Sequence, residues 1–90
     1  MKTASAGTLE SMDCTVTASE GAPGSGVVVR IAGSSAARFG ETMKKVVLAK
    51  AESLGSKDVE IAVQDNGALD LVLAARTEAA LKRLAGGDGR

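Results

Sequence analysis

From Met12 onward the chain alternates. Met12, Cys14, Val16 and Ala18 fall on one side; Asp13, Thr15 and Thr17 fall on the other. Successive side chains of a strand point to opposite faces, so this run predicts a strand with one buried face. Residues 19–26, "SEGAPGSG", carry no apolar pattern and are rich in Gly, Ser and Pro, which predicts a loop. Alternation returns over Val27 to Ala32, with Val27, Val29 and Ile31 on one face. The expected pairing of these two runs is an antiparallel hairpin with a long connection. The period then changes. Phe39, Met43, Val46, Val47 and Leu54 recur at helical steps, Ser34 or Ser35 is suited to cap the helix, and Gly55 is a natural stop. Gly40 costs such a helix about 1 kcal/mol relative to Ala, which points to a backbone or packing reason for it. Val59, Ile61 and Val63 alternate as a third strand, and Asp65-Asn66-Gly67 is a tight-turn signal. Leu69, Val72, Leu73, Ala80 and Leu84 mark a second helix within residues 68–84; a hairpin through Asn66-Gly67 into Leu69–Leu73 is the alternative.

The predicted order is β-β-α-β-α, an α+β fold with a three-stranded sheet and two helices packed on one face. Residues 1–10 are small and polar and read as a flexible N-terminal arm, residues 11–85 as the folded domain, and residues 86–90, "GGDGR", as a disordered tail. Ninety residues correspond to one small domain with a thin core. Phe39 is the single aromatic residue, so that core must be aliphatic and base stacking has almost nothing to work with.

Charge and missing residue types narrow the function. Eleven basic and eleven acidic residues cancel, so the basic footprint of a nucleic-acid binder is absent. No stretch approaches the ~20 apolar residues that span a bilayer. Met1–Ser5 lacks an apolar signal region, and Cys14 has no partner for a disulfide within the chain, features that fit a cytoplasmic protein. There is no His, Tyr or Trp. General acid–base work by imidazole, Ser–His or Cys–His nucleophiles and a zinc site are therefore all out of reach, and any chemistry must come from partners or an attached group.

Ser11 can be read in two ways. It is either an ordinary solvated hydroxyl before a strand, or an attachment point that reaches into a partner's active site, with Glu10 and Asp13 aiding recognition. A serine hydroxyl is a weak nucleophile, so in the second case the partner supplies the base or metal that activates it. Cys14 is a possible acyl-bearing thiol, but its place on the apolar side of the run favours a buried structural role. Asp65 and Asp70 are best read as turn and helix-start chemistry, or as part of a docking loop. Gly24-Ser25-Gly26 is too plain for a phosphate loop.

Three segments, in order and at matching spacing, resemble the acyl carrier (gamma) subunit of citrate lyase: "AGTLES" followed by Asp13, "SSAARFGETMKKVVL" and "VQDNGALDLVLAARTEAAL". The resemblance implies that residues 11–85 form an acyl carrier domain. It implies that Ser11, in the position of the family's "LES" serine, carries phosphoribosyl-dephospho-CoA in phosphodiester linkage. The thiol of that group would hold acetyl and citryl thioesters. The carrier would move them between an alpha subunit that exchanges acetyl for citrate and a beta subunit that releases oxaloacetate. A dedicated transferase would install the group. The chain itself would be a non-catalytic subunit that binds neither nucleic acid nor membrane. Met12 follows Ser11 where the family commonly has Gly or Ser. Two other readings stand beside this one: the carrier subunit of malonate decarboxylase, which bears the same type of group, and a regulatory or assembly domain with none.

Overall fold

A computed structural model describes residues 2–86. The elements run β1 (Thr3–Gly7), β2 (Asp13–Glu20), β3 (Val27–Gly33), α1 (Ala36–Ser53), β4 (Val59–Asn66) and α2 (Asp70–Gly86). Of the expected disordered tail, only Gly86 falls within the described residues, as the last residue of α2. No helix among them is long and apolar enough to cross a membrane.

The sheet has four strands, in the order β1-β2-β4-β3, and not three. The extra strand is β1, which lies in the segment read as a loose arm. Thr3–Gly7 pairs antiparallel with β2, from Thr3 opposite Ser19 to Gly7 opposite Thr15. Hydroxyl pairs reinforce it on the outer face, Thr3–Ser19 at 3.2 Å and Ser5–Thr17 at 3.1 Å. Arg83 of α2 clamps it from the other side by donating to the Ser5 carbonyl at 2.7 Å.

The strand pairing also differs from expectation. β2 and β3 form no hairpin; β4 lies between them, antiparallel to β2 and parallel to β3. The physical reason is burial. Val59, Ile61 and Val63 of β4 are all buried, whereas Val27, Val29 and Ile31 of β3 are only half-buried, so the more deeply buried strand is the central one. A parallel β3–β4 pair needs a crossover, and α1 supplies it.

Both helices cover one face of the sheet, α1 over β3 and α2 over β1 and β2, and they pack on each other. Cys14, Val16 and Ala18 of β2 meet the β4 residues, Met43, Val47 and Ala51 of α1, and Leu73, Ala80 and Leu81 of α2 in one aliphatic core. The apolar stripe of α1 is therefore shorter than its sequence suggests. Phe39 is half exposed and sits beside the Arg38 guanidinium, while Ala51 completes the buried row. Gly40 has no packing role, since a Cβ there meets nothing within 4 Å. Gly55 does stop α1: with a left-handed φ of 73°, it donates to Glu52 while Ser56 donates to Ala51, a Schellman closure. The runner-up hairpin after Asn66-Gly67 does not form, because Leu73 N–H already donates to the Leu69 carbonyl as the first helical turn of α2.

One buried side chain joins these parts. Asp65, 3% exposed at the end of β4, receives Ser35 N–H at 3.2 Å and Gly67 N–H at 3.0 Å on Oδ2, and Ala68 N–H at 2.9 Å on Oδ1. It thus satisfies donors at the starts of both helices. Ser35 occupies the N-cap position of α1, and its hydroxyl makes no cap bond; its backbone N–H donates to the Asp65 carboxylate. Burial pushes the Asp65 carboxyl up, but the hydrogen bonds from Gly67, Ala68 and Ser35 outweigh it, and its pKa lies below the ordinary value of 3.8. A lowered folded pKa means stabilisation that is present above 3.8 and fades as pH falls through the folded value. Asp65→Asn should cost about 1–3 kcal/mol in urea unfolding at neutral pH. The gap to the unaltered chain should close in acid. A gap that stays constant down to the acid transition would show that the charge contributes nothing.

Candidate functional site

Ser11 lies in the connection between β1 and β2, residues 8–12, all of them exposed. Asp13 N–H donates to the Glu10 carbonyl at 3.1 Å, closing a four-residue turn with Ser11 and Met12 at its centre. Met12 has a φ of +63°, the one non-glycine residue with positive φ among the described residues, which with a negative-φ Ser11 is the type II pattern. Ser11 is therefore at the tip. Among the described residues no hydrogen bond engages its hydroxyl.

The flanks of the turn are held firmly. The Asp13 carboxylate accepts four hydrogen bonds. Arg76 of α2 approaches as a fork, Nε to Oδ1 at 3.0 Å and Nη2 to Oδ2 at 2.8 Å; Cys14 N–H adds one at 2.7 Å and the Thr8 hydroxyl another at 2.7 Å. Thr8 Oγ1 in turn accepts from Glu10 N–H at 3.1 Å. Such bidentate, charge-assisted pairs are the strong and directional ones. The hydrogen bond from the Arg76 guanidinium, with those from Thr8 and Cys14, holds the Asp13 carboxyl well below the usual carboxylate range. The pair is thus intact at every pH above that range and is lost only as pH falls through the folded value. On the other side, Met12 N–H donates to the Asn66 carbonyl at 2.8 Å, and Asn66 Nδ2 donates to the Leu9 carbonyl at 2.8 Å. Gly7 opens the connection with a φ of +101°, and a Cβ there would fall on the Cys14 carbonyl oxygen.

Sequence reasoning singled out Ser11 but missed this frame. It offered Glu10 and Asp13 together as an aid to recognition; Asp13 is engaged by Arg76, and of the two acids Glu10 is the exposed one. It put Met12 on the buried side of β2, whereas the strand begins at Asp13 and Met12 is 62% exposed. Arg76 did leave a signal: a cation three residues from Leu73 and four from Ala80, beside the buried stripe of α2, calls for an anion nearby. Cys14 is fully buried, and burial, with Asp13 and Asp65 close by, pushes its thiol up to about 11. Asp70 is exposed in the first turn of α2, where its charge complements the helix dipole.

A free hydroxyl at the tip of an anchored turn is the arrangement of a presented side chain and not of an assembled active centre. The acyl carrier (ACP) family model described as "Malonate decarboxylase delta subunit (MdcD)" matches residues 1–84. The chain is 38% identical over 86 residues to the citrate lyase acyl carrier protein of Halothermothrix orenii, covering 96% of this chain and 89% of that one. It is 41% identical over 80 residues to the protein of the same name from Fusobacterium nucleatum, with 89% and 84% covered. It is 42% identical over 82 residues to that from Haemophilus ducreyi, with 91% and 83% covered. The chain belongs to the citrate lyase/malonate decarboxylase acyl carrier protein family.

Two outcomes test this geometry. Met12→Gly relieves a left-handed side chain, set against the greater freedom of Gly in the unfolded chain, and should stabilise the domain by about 0.5–1 kcal/mol. Thermal or urea unfolding checks it, and a loss of stability would mean the Met12 side chain holds the turn. Cys14→Ala should cost about 1 kcal/mol for a small cavity. In the unaltered chain the thiol should react with a maleimide only as fast as the chain unfolds; rapid labelling under native conditions would contradict its burial.

Proposed function

We propose that the chain is the acyl carrier subunit of a citrate lyase, with phosphoribosyl-dephospho-CoA attached through a phosphodiester to Ser11. The observation that carries this reading is the setting of Ser11: the serine of the "LES" segment stands exposed at a turn tip whose flanks are tied down while its own hydroxyl is left free. The site fits the group. A hydroxyl is the acceptor a phosphodiester requires, and the exposed neighbours Leu9, Glu10 and Met12 leave the approach open. When attached, the group supplies a thiol able to hold acetyl and citryl thioesters. The chain's own residues do the holding. Ser11 provides the anchoring oxygen, and Asp13, Arg76 and Asn66 fix the direction in which it points. With no His in the chain, acid–base work falls to the partners: an alpha subunit that exchanges acyl groups, a beta subunit that cleaves, and a transferase that installs the group, all in the cytoplasm.

A second reading, the carrier subunit of malonate decarboxylase, is supported by the description of the matching family model. The "AGTLES" segment and the citrate lyase relatives favour the first. The acyl group decides between them: the loaded chain with its native partners should exchange acetyl for citryl with citrate present, and a malonyl adduct would select the alternative.

Intact mass of the chain from its native host should exceed the sequence mass by one such group, and peptide mapping should locate it on Ser11. Ser11→Ala should remove the added mass and abolish lyase turnover with the fold retained. A group found on Ser5, Ser34 or Ser35 overturns the assignment.

A further inference from the structure

Four large apolar side chains stand in solvent on the Ser11 turn and on the neighbouring entry to α2: Leu9 at 60%, Met12 at 62%, Leu69 at 61% and Leu71 at 81% exposure. Their backbones are brought together by the frame described above. Asn66 bonds the main chain of both Leu9 and Met12, Asp13 bridges Gly67, and Leu69 and Leu71 follow within four residues. Met12 holds its exposed side chain in a left-handed conformation that costs about 1–2 kcal/mol, so the residue is doubly unfavourable in the isolated chain. Apart from the Asp13–Arg76 pair, the charges in these two segments are acidic. Residues 8–13 and 66–71 contain Glu10, Asp13 and Asp70 and no basic residue, and the Asp13 charge is already met by Arg76. Exposed apolar groups beside a reactive position, with acids at the margin, fit a partner with a complementary apolar surface and a basic rim.

We infer that Leu9, Met12, Leu69 and Leu71 form the docking surface for the enzyme that transfers the group onto Ser11. This rests on Ser11 being the attachment site. Reach selects this partner over the lyase subunits. An enzyme acting on the Ser11 hydroxyl must bring its catalytic groups to the turn itself, and so covers the residues on either side. Subunits that act on the thiol at the far end of a long attached arm have no need to touch the turn. The Ser11 hydroxyl is unactivated in this chain, so the encounter also has to bring in the base that takes its proton.

The test uses the full chain, the purified transferase and its CoA-derived donor, with mass gain on Ser11 as the readout. Leu9→Gln/Leu71→Gln should raise the KM for the carrier about tenfold with kcat little changed, as expected when anchor side chains of an interface are lost. Both positions are solvent-exposed, so the variant should melt like the unaltered chain. Glu10→Lys should also raise KM, and should weaken the dependence of KM on salt. Transfer to Ser11 with KM unmoved in both variants overturns the docking surface and leaves the attachment site standing. So does an unchanged transfer KM combined with lost lyase turnover once the group is in place, which would assign the patch to the lyase subunits. No mass gain on Ser11 in the unaltered chain overturns the attachment reading and the docking surface together.

Discussion

The Asp65 carboxylate is the point on which this small domain turns. It sits at the end of β4, the strand on which the two halves of the sheet meet, and is almost fully buried. A buried charge survives only when its hydrogen-bonding capacity is filled. Here the backbone N–H groups of Ser35, Gly67 and Ala68 fill it, and those groups are the entrances to both helices. The main-chain oxygen of the same residue takes Ser34 N–H, and Gly33 must lack a Cβ to lie against it. Two helices, two strands and their crossings are therefore referenced to one side chain. The next residue, Asn66, extends that reference to the Ser11 turn through its bonds to Leu9 and Met12. The position of the turn is a consequence of the core and not of the loop alone.

This changes where the freedom of a carrier can come from. A loose small-residue leader would let the attachment serine swing on its own. Instead, Thr3–Gly7 is paired into the sheet and clamped by Arg83, and Asp13 is locked to Arg76. The Ser11 turn then moves with the body. On the proposed reading, reach between distant active sites comes from the attached arm and from motion of the whole domain. On the same reading, a fixed turn would lower the conformational cost of presenting Ser11 to a transferase, because less has to be ordered at the encounter.

Much of this was legible in the sequence. Alternation and helical spacing located β2, β3, β4 and both helices to within a few residues, because their apolar positions face one aliphatic core. β1 was not legible. "TASAG" has no β-branched or aromatic run, and only Ala6 is buried; its strand character comes from pairing with β2 and from two hydroxyl contacts, which are properties of the partner strand. The order of strands was missed because adjacency in sequence favours a β2–β3 hairpin, whereas burial of Val59, Ile61 and Val63 decides which strand is central. Ser11 was singled out by its "LES" context. The ion pair that frames it joins Asp13 to a residue 63 positions away, a separation at which local pattern carries no information.

A chain with no net charge gains little from long-range attraction, so its partners must be chosen at contact. Contact selection needs apolar area and a local pattern of charge, and the Ser11 turn exposes both. The area is small, four side chains and a few acids, well short of what a lasting interface buries. On the proposed reading, that suits an encounter that ends once the hydroxyl is modified. The same economy explains why an exposed methionine stands at a left-handed position. A glycine would relax the turn but would leave the surface beside Ser11 bare; on the proposed reading the contact offsets the strain.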